Sequence, residues 1–411
     1  MHNPRGRTPP NAPCFEVQTD LLLRRVDGMS AVAHYNTDYV YTVRHCLLYC
    51  SVIRHMMKAV IAVHVGAGYH SELKLPQYKR VCKTACQKAT AMLENSECTA
   101  VDAVTAAVTV LENDPITNAG FGSNLTLKGT VECDASVMDG RSLNFGAVGA
   151  LSGYSNPILV AREICNQQVR NNLTFGRLPP CFLVGNGAAE WARENVLTSE
   201  KQQHLVSEEA KRSYLKYKRK IERHEEGGSA GGEVERLDTV GAVCLDKSGN
   251  VASAVSSGGV LLKHPGRVGQ AAVYGCGCWS ELFDSSSAVA VSTSGGGEHL
   301  IKTMLARRCA EALRTSDNAV PALSDCLKEH FLQSRYLKGV DQKLGGVLAL
   351  SVDHQDAACD VIWAHSTKSL CYGYMETGGR TAKFGCSRLE EVDVGRNVVV
   401  GGVTLRLSSL T

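Results

Sequence analysis

The spacing of hydrophobic and polar positions changes character along the 411 residues. Residues 1–57 show no sustained period. Pro and Arg open this segment and a Tyr-, Cys- and His-rich patch closes it, so it reads as an extension, disordered or loosely attached. Regularity begins at Ala59-Val-Ile-Ala-Val-His64, a continuous apolar run of the kind that forms a strand buried on both faces. It ends in Val65-Gly66-Ala67-Gly68, a turn of small residues where backbone can approach another group closely. Helical spacing follows over about 76–94. It resumes from Thr99, where Asp102 completes a capping signal and Val101, Val104, Val108 and Leu111 share one face. Further on, the pattern predicts a strand at Phe145–Leu151, a helix over about 156–165, a strand at Cys181–Gly185 and a helix near 188–193.

From about 198 the chain turns polar and stays so to 238, a charged tether that is expected to be flexible. Within it, Lys211-Arg212 and Lys216-Tyr-Lys-Arg-Lys220 form a basic cluster on an exposed helix. That cluster reads equally as a solvated face or as a patch for a nuclear import receptor. The tether's last part, Glu225-Glu226-Gly-Gly-Ser-Ala-Gly-Gly-Glu-Val-Glu-Arg236, feeds straight into Leu237-Asp238-Thr239-Val240-Gly241-Ala242-Val243. Strands are expected at Thr239–Leu245 and Val251–Ser256, joined by a hairpin turn at Asp246-Lys-Ser-Gly249-Asn250. Antiparallel pairing of two strands this short brings Ser257 back beside Thr239. Helices over about 298–313 and 318–332 and a buried strand at Leu344–Leu350 complete the pattern.

Composition narrows the class. The hydrophobic share of 44% allows a large core, and the net charge of +3 gives no reason to expect nucleic acid as a partner. The 17 cysteines are odd in number and unpatterned, which points to free thiols in a reducing compartment. Met1–Pro10 has no apolar core of the secretory type, so the glycosylation triplets at Asn124 and Asn172 carry no weight. Arg44, Arg54 and Lys58 interrupt the apolar runs, and no membrane partner is expected. Cys82 with Cys86, and Cys276 with Cys278, have ligand-like spacing but lack a second pair. A metal site is therefore not expected.

The candidate chemistry lies at Asp238-Thr239. If that bond breaks, Thr239 gains an α-amine beside its hydroxyl, which supplies a nucleophile and a base on one residue. An ordinary α-amine titrates near 7.7–8.0, roughly, so it is partly neutral at pH 7 and able to accept a proton. Downstream, Lys263-His-Pro-Gly-Arg267-Val-Gly269-Gln270 offers one guanidinium in a small-residue loop, a natural carboxylate clamp. Ser292-Thr293-Ser294-Gly295-Gly296-Gly297-Glu298 ends a strand and opens a helix, a junction able to offer N–H groups to an oxyanion.

Together these words resemble the N-terminal-nucleophile hydrolases of the plant-type asparaginase and glycosylasparaginase family. Asp238-Thr239-Val-Gly-Ala, Ser256-Ser257-Gly-Gly, Gly266-Arg267-Val-Gly269 and Ser294-Gly-Gly-Gly297-Glu298 occur in the family's order. His64-Val-Gly-Ala-Gly and Asn118-Ala-Gly-Phe-Gly-Ser followed by Asp134-Ala-Ser-Val-Met-Asp-Gly resemble its first subunit. The resemblance covers residue 59 to the end and says nothing about residues 1–57. Within the family it is strongest to the threonine aspartase branch, which shares Leu262-Lys-His-Pro-Gly-Arg-Val-Gly-Gln-Ala-Ala272 and Tyr274-Gly-Cys-Gly-Cys-Trp279.

The resemblance implies an α+β fold, a four-layer αββα sandwich formed by residues 58–411. It also implies a precursor that cuts itself into an α subunit (58–238) and a β subunit (239–411), with two such pairs joining as α2β2. It makes Thr239 the nucleophile and Ser257 its orienting partner. Ser294 and Gly295 fall at the oxyanion positions and Asn118 near the nucleophile. Arg267, Gln270 and Gly297 fall in the substrate site. No cofactor is implied. One departure bears on the substrate. Asparaginases carry Asp where this chain has Gln270, and that Asp pairs with the substrate's free α-ammonium. A neutral amide cannot form this ion pair. The expected activity is therefore that of an endopeptidase cutting proteins after Asp, with nuclear transcription regulators as targets and a nuclear and cytoplasmic location. An asparaginase or isoaspartyl dipeptidase of the same fold, or a non-catalytic scaffold, is the alternative.

Overall fold

The computed structural model describes residues 57–170, 173–196, 205–225, 238–283 and 286–408. The expected extension, apart from Met57, and the linker 226–237 lie outside the described residues. An eight-stranded sheet has the order β12-β11-β1-β5-β6-β2-β3-β4, and a five-stranded sheet the order β13-β10-β9-β8-β7. In chain order the elements of the first part are β1 (Val60–Gly68), α1 (Leu75–Leu93), α2 (Ala100–Glu112), β2 (Cys133–Asp139), β3 (Phe145–Leu151), α3 (Pro157–Gln167), β4 (Phe182–Val184), α4 (Gly185–Asn195) and α5 (Glu208–Glu225). Then come β5 (Val240–Leu245), β6 (Val251–Ser257), β7 (Cys278–Leu282), β8 (Ser287–Gly295), α6 (Gly297–Thr303), α7 (Leu305–Arg314), α8 (Ala319–Cys326), β9 (Gly345–Asp353), β10 (Ala358–His365), β11 (Ser369–Glu376), β12 (Lys383–Arg388) and β13 (Val399–Arg406).

The continuous apolar runs are explained by burial on both faces. In β1, Ala59, Ile61, Val63 and Val65 join the core under α1 and α2, while Val60 and Ala62 join the core between the sheets. In β5, Val240, Ala242 and Cys244 face the helices, whereas Val243 and Leu245 face the second sheet. Helices α7 and α8 cover the far side of the smaller sheet through Leu305, Cys309, Leu313 and Leu323. The result is the four-layer αββα sandwich that the resemblance implies.

Local chemistry agrees with the sequence at several ends. Thr99 caps α2 as a capping box, its hydroxyl accepting from Asp102 N and its own N–H donating to the Asp102 carboxylate. Asp246 accepts the Ser248 and Asn250 N–H groups at 2.9 Å and closes the β5–β6 hairpin. Three differences stand out. The helix expected over 298–313 is broken by Met304, whose left-handed backbone (φ 49°) separates α6 from α7. The helix expected near 188–193 starts earlier, α4 opening at Gly185, which has φ +55°. The helix expected to carry the basic cluster is α5, but it is not loose within the tether. Its start is docked by Leu205 and Ala210 against Leu125, Val131 and Cys133. Cys82, Cys86, Cys276 and Cys278 are buried, and every cysteine among the described residues is a free thiol. No group of three or more His, Cys, Asp or Glu is placed to hold a metal among the described residues.

One buried carboxyl makes stability depend on pH. Glu112, at the end of α2, is fully buried and accepts from Ile158 N and Asn156 Nδ2, both at 3.1 Å. Burial pushes it from 4.5 up to about 8, against the opposing pull of Ser256, Asn156 and Ile158. The fold therefore keeps a proton that the unfolded chain releases. Stability from this group is complete below about 4.5 and falls as pH rises toward about 8, with a slope of up to about 1.4 kcal/mol per pH unit. Urea midpoints of the uncut Thr239→Ala chain should show this decline. Adding Glu112→Gln should flatten it across the same window.

Candidate active site at Thr239

Strand register puts the two hydroxyls together. Val240 pairs with Ser256 in the β5–β6 ladder, so the next pair outward is Thr239 with Ser257. Both side chains fall on the face toward the second sheet. There Thr239 Oγ1 donates to Ser257 Oγ at 3.0 Å, and Ser257 Oγ also accepts from Gly259 N at 3.0 Å. Gln270 Nε2 donates to Thr239 Oγ1 at 3.2 Å. The proton and one lone pair of the Thr239 hydroxyl are thereby oriented, and a second lone pair faces the cavity.

The second sheet supplies the group at the other end of Thr239. Ser292 and Ser294 alternate along β8 onto the inner face. Ser294 Oγ accepts from Thr239 N at 3.3 Å and from Ala67 N at 2.8 Å. The small-residue stretch 65–68, expected as a turn, instead continues β1 through a register shift between His64 and Ala67, and its backbone approaches Ser294 at Ala67. Two residues back, Ser292 Oγ donates to Ala254 O and lies 2.8 Å from His64 Nε2. A methyl on Gly241 would fall 2.0 Å from Ser292 Oγ and 2.4 Å from His64 Nε2, so the sheets meet this closely only across a glycine. Burial drives His64 down to about 3, with the Thr239 main chain and His70 acting more weakly in opposite directions. It is a neutral structural imidazole at physiological pH.

Thr239, Ser257, Asn118, Arg267, Gln270, Gly295 and Gly297 line one small cavity of about 10 Å³, together with Gly259 and Val260. Asn118 is rigid there. Its Nδ2 donates to Gly259 O, its Oδ1 accepts from Asn124 N, and its carbonyl accepts from Gly258 N. Thr117, bonded to Leu111 O at 2.7 Å, ties this loop to the end of α2. Arg267 lies in a slot of glycines, where a methyl on Gly259, Gly269 or Gly297 would come within 2.9 Å of its guanidinium. Its outer edge holds Glu298 through three hydrogen bonds of 2.8–2.9 Å. Burial pushes Glu298 up, but the bonds and charge of Arg267 outweigh it and leave the carboxyl below its usual range.

Sequence reasoning missed several members. Glu298 was read only as a helix start, and Asp134 only as part of a motif. Asp134 is buried, accepts from Ala150 N and Gly269 N at 2.8 Å each, and fixes the loop that carries Arg267. Burial holds its carboxyl above the usual range, with Lys263 the main opposing charge. Asp238, on the acyl side of the candidate bond, is also buried, and its carboxylate is 3.8 Å from His70 Nε2. Its sequence neighbourhood signalled the bond but not the histidine.

This geometry can be set beside known proteins. The family model described as Asparaginase matches residues 57–382. The chain is 38% identical over 252 residues to an isoaspartyl peptidase/L-asparaginase of Homo sapiens, covering 61% of this chain and 73% of that protein. It is 36% identical over 263 residues to an isoaspartyl peptidase of Escherichia coli, covering 61% and 75%. A Danio rerio isoaspartyl peptidase/L-asparaginase is 33% identical over 314 residues, 76% of this chain and 90% of its own. The matched span takes in the αββα layers and the Thr239 cavity, and the chain belongs to the asparaginase family of N-terminal-nucleophile hydrolases.

Proposed function

We propose that the chain cuts itself between Asp238 and Thr239 and then acts as a threonine endopeptidase on the carboxyl side of Asp in proteins. In maturation the Thr239 hydroxyl attacks the Asp238 carbonyl, the acyl group moves from nitrogen to oxygen, and water hydrolyses the ester. One water is consumed and the Thr239 amine is freed. In turnover that amine takes the hydroxyl proton while Oγ1 attacks the substrate carbonyl, and water releases the acyl-enzyme. Ser294 and Gly295 are assigned to the developing oxyanion and Ser257 to orienting the attack.

The observation that carries the substrate class is Gln270. The cavity holds one charged side chain, Arg267, and the residue facing both Thr239 and the clamp is a neutral amide. Such a cavity attracts a carboxylate and has no partner for an ammonium group. In asparagine the α-carboxylate and the β-carbonyl are separated by the same carbon pair as the side-chain carboxylate and α-carbonyl of an internal Asp. One clamp therefore serves either bond, and loss of the ammonium partner favours a chain that continues. A second reading, an isoaspartyl peptidase or L-asparaginase, is favoured by the similarity to relatives that bear those names.

Intact mass after overnight incubation tests maturation. Two fragments summing to the precursor plus one water, the second beginning at Thr239, are expected, and Thr239→Ala should leave a single inactive chain. Residual cutting of that variant at the same bond would sink the nucleophile assignment.

Parallel assays on free L-asparagine, an isoaspartyl dipeptide and an internal-Asp peptide separate the two readings. The internal-Asp peptide should be cut, and Arg267→Ala should lower its kcat/KM roughly 100-fold or more. Gln270→Asp should shift preference toward the free amino acid. Ammonia release from asparagine by the unaltered enzyme, with the peptide left intact, would establish the second reading instead.

We also propose an α2β2 assembly, testable as a native mass of two cut chains, and entry into the nucleus through α5 as well as a cytoplasmic pool. On α5, Arg212, Leu215, Lys216, Arg219, Lys220 and Arg223 line an open groove, and its basic side chains are exposed. Replacing Lys216, Lys218, Arg219 and Lys220 by Ala should abolish nuclear accumulation of a tagged protein. An unchanged distribution would remove that role.

A further inference from the structure

The proposed chemistry needs an Asp on the acyl side of the bond in both self-cutting and turnover. In the structure, however, Asp238 does not use the guanidinium assigned to a substrate Asp. Arg267 lies in the Thr239 cavity with its outer edge on Glu298. The Asp238 carboxylate is instead buried beside His70, at 3.8 Å from Nε2, where the two side chains are 6% and 0% exposed.

His70 is held rigidly for this contact. Its N–H donates to Ser369 Oγ at 3.0 Å, and Nδ1 lies 2.9 Å from the same oxygen. Nε2 lies 3.3 Å from Val65 O, and a carbonyl there requires a hydrogen on Nε2. The ring also packs edge-on against Tyr78 at 4.8 Å between centroids. Asp238 thus meets the edge of a ring fixed in orientation, at contact distance and beyond hydrogen-bond reach of Nε2. Gly66 completes the wall. Its φ is +116°, and a methyl there would come 2.8 Å from Asp238 Cα and 3.1 Å from Oδ1. Only glycine leaves room for an Asp at this place.

We propose that His70 and Gly66 form a second Asp-reading pocket, used once, in which His70 positions Asp238 for attack by Thr239. The chain then reads Asp at two separate sites: its own Asp238 through the shape of the wall made by His70 and Gly66, and the Asp of a substrate through Arg267. His70 is a positioning residue. It touches the carboxylate of the acyl residue and acts on the carbonyl through it. The inference rests on the self-cutting reading, because a chain that never cuts has no use for such a pocket.

The test is a time course of self-cutting by intact mass, starting from freshly translated full chain. His70→Phe should slow the cut roughly 10- to 100-fold, the scale expected for a misplaced reacting group. His70→Gln, which restores an N–H donor, should recover part of that loss. Asp238→Asn should also be slow, and combining it with His70→Phe should add little, because the group that His70 holds is already gone. Arg267→Ala should lose peptide turnover yet slow self-cutting far less than His70→Phe does. Full additivity of His70→Phe with Asp238→Asn would show a merely structural effect and overturn the proposal. So would an Arg267→Ala chain that self-cuts as slowly as His70→Phe. An unaltered chain that stays intact would overturn the self-cutting reading itself, and the pocket with it. A chain that cuts normally whatever stands at position 70 would overturn the pocket alone.

Discussion

The close approach of the two sheets at Gly241 is the constraint on which the site depends. With no side chain there, the Ser292 hydroxyl and the His64 ring occupy the space, bonded to each other at 2.8 Å. This fixes β8 over the start of β5. Because β8 alternates, Ser294 then falls two residues further along the same face, over the Thr239 nitrogen. The hydroxyl end of Thr239 is fixed independently, by the β5–β6 register that sets it opposite Ser257. Nitrogen and oxygen of the same residue are therefore held from two different sheets. A sandwich of two layers is what makes that possible, since one strand neighbour could supply only one of them.

The second constraint is the cost of placing a charged side chain, Arg267, where it is mostly buried. An isolated guanidinium away from water is costly unless it is paired. Here Glu298 meets its outer edge, and Asp134 stands behind the loop, bonded to Gly269 N. Lys263 adds a further positive group, with its ammonium on the Glu132 carbonyl at 2.6 Å. Asp134 is consequently tied to the loop by backbone bonds and to Lys263 and Arg267 by charge. The small-residue loops that looked like plain turns have a definite use. They let these charges approach within a few ångströms of one another without intervening side chains.

Much of this was legible in the sequence, for identifiable reasons. Runs buried on both faces announce themselves by apolar continuity, so β1, β3, β5 and β6 were readable, and the Asp246 turn fixed the hairpin. The register of that hairpin then implied the Thr239–Ser257 pair. What was not legible depends on tertiary context. Met is a good helix former, so nothing local marks Met304 as a left-handed break. Strands β10 to β13 mix polar and apolar positions and went unread, although β11 pairs with β1 and completes the large sheet. Arg267 lies on a loop and Glu298 in the first turn of α6, and spacing along the chain does not reveal a bond between them.

The same contrast explains why the residue before the nucleophile is the least readable part of the site. Asp238 is specified by its place in the bond, and the sequence shows that much. Its surroundings come from the end of β1 and from Ser369 at the start of β11, which holds His70 in orientation. These elements meet only because β1 lies between β5 and β11 in the large sheet. The order of three strands therefore places a histidine against an Asp far away in sequence. It also keeps that Asp apart from the arginine assigned to the same residue type in a substrate. On the proposed reading, a bond cut once and bonds cut repeatedly would then be held by different side chains around one threonine, each open to change without disturbing the other.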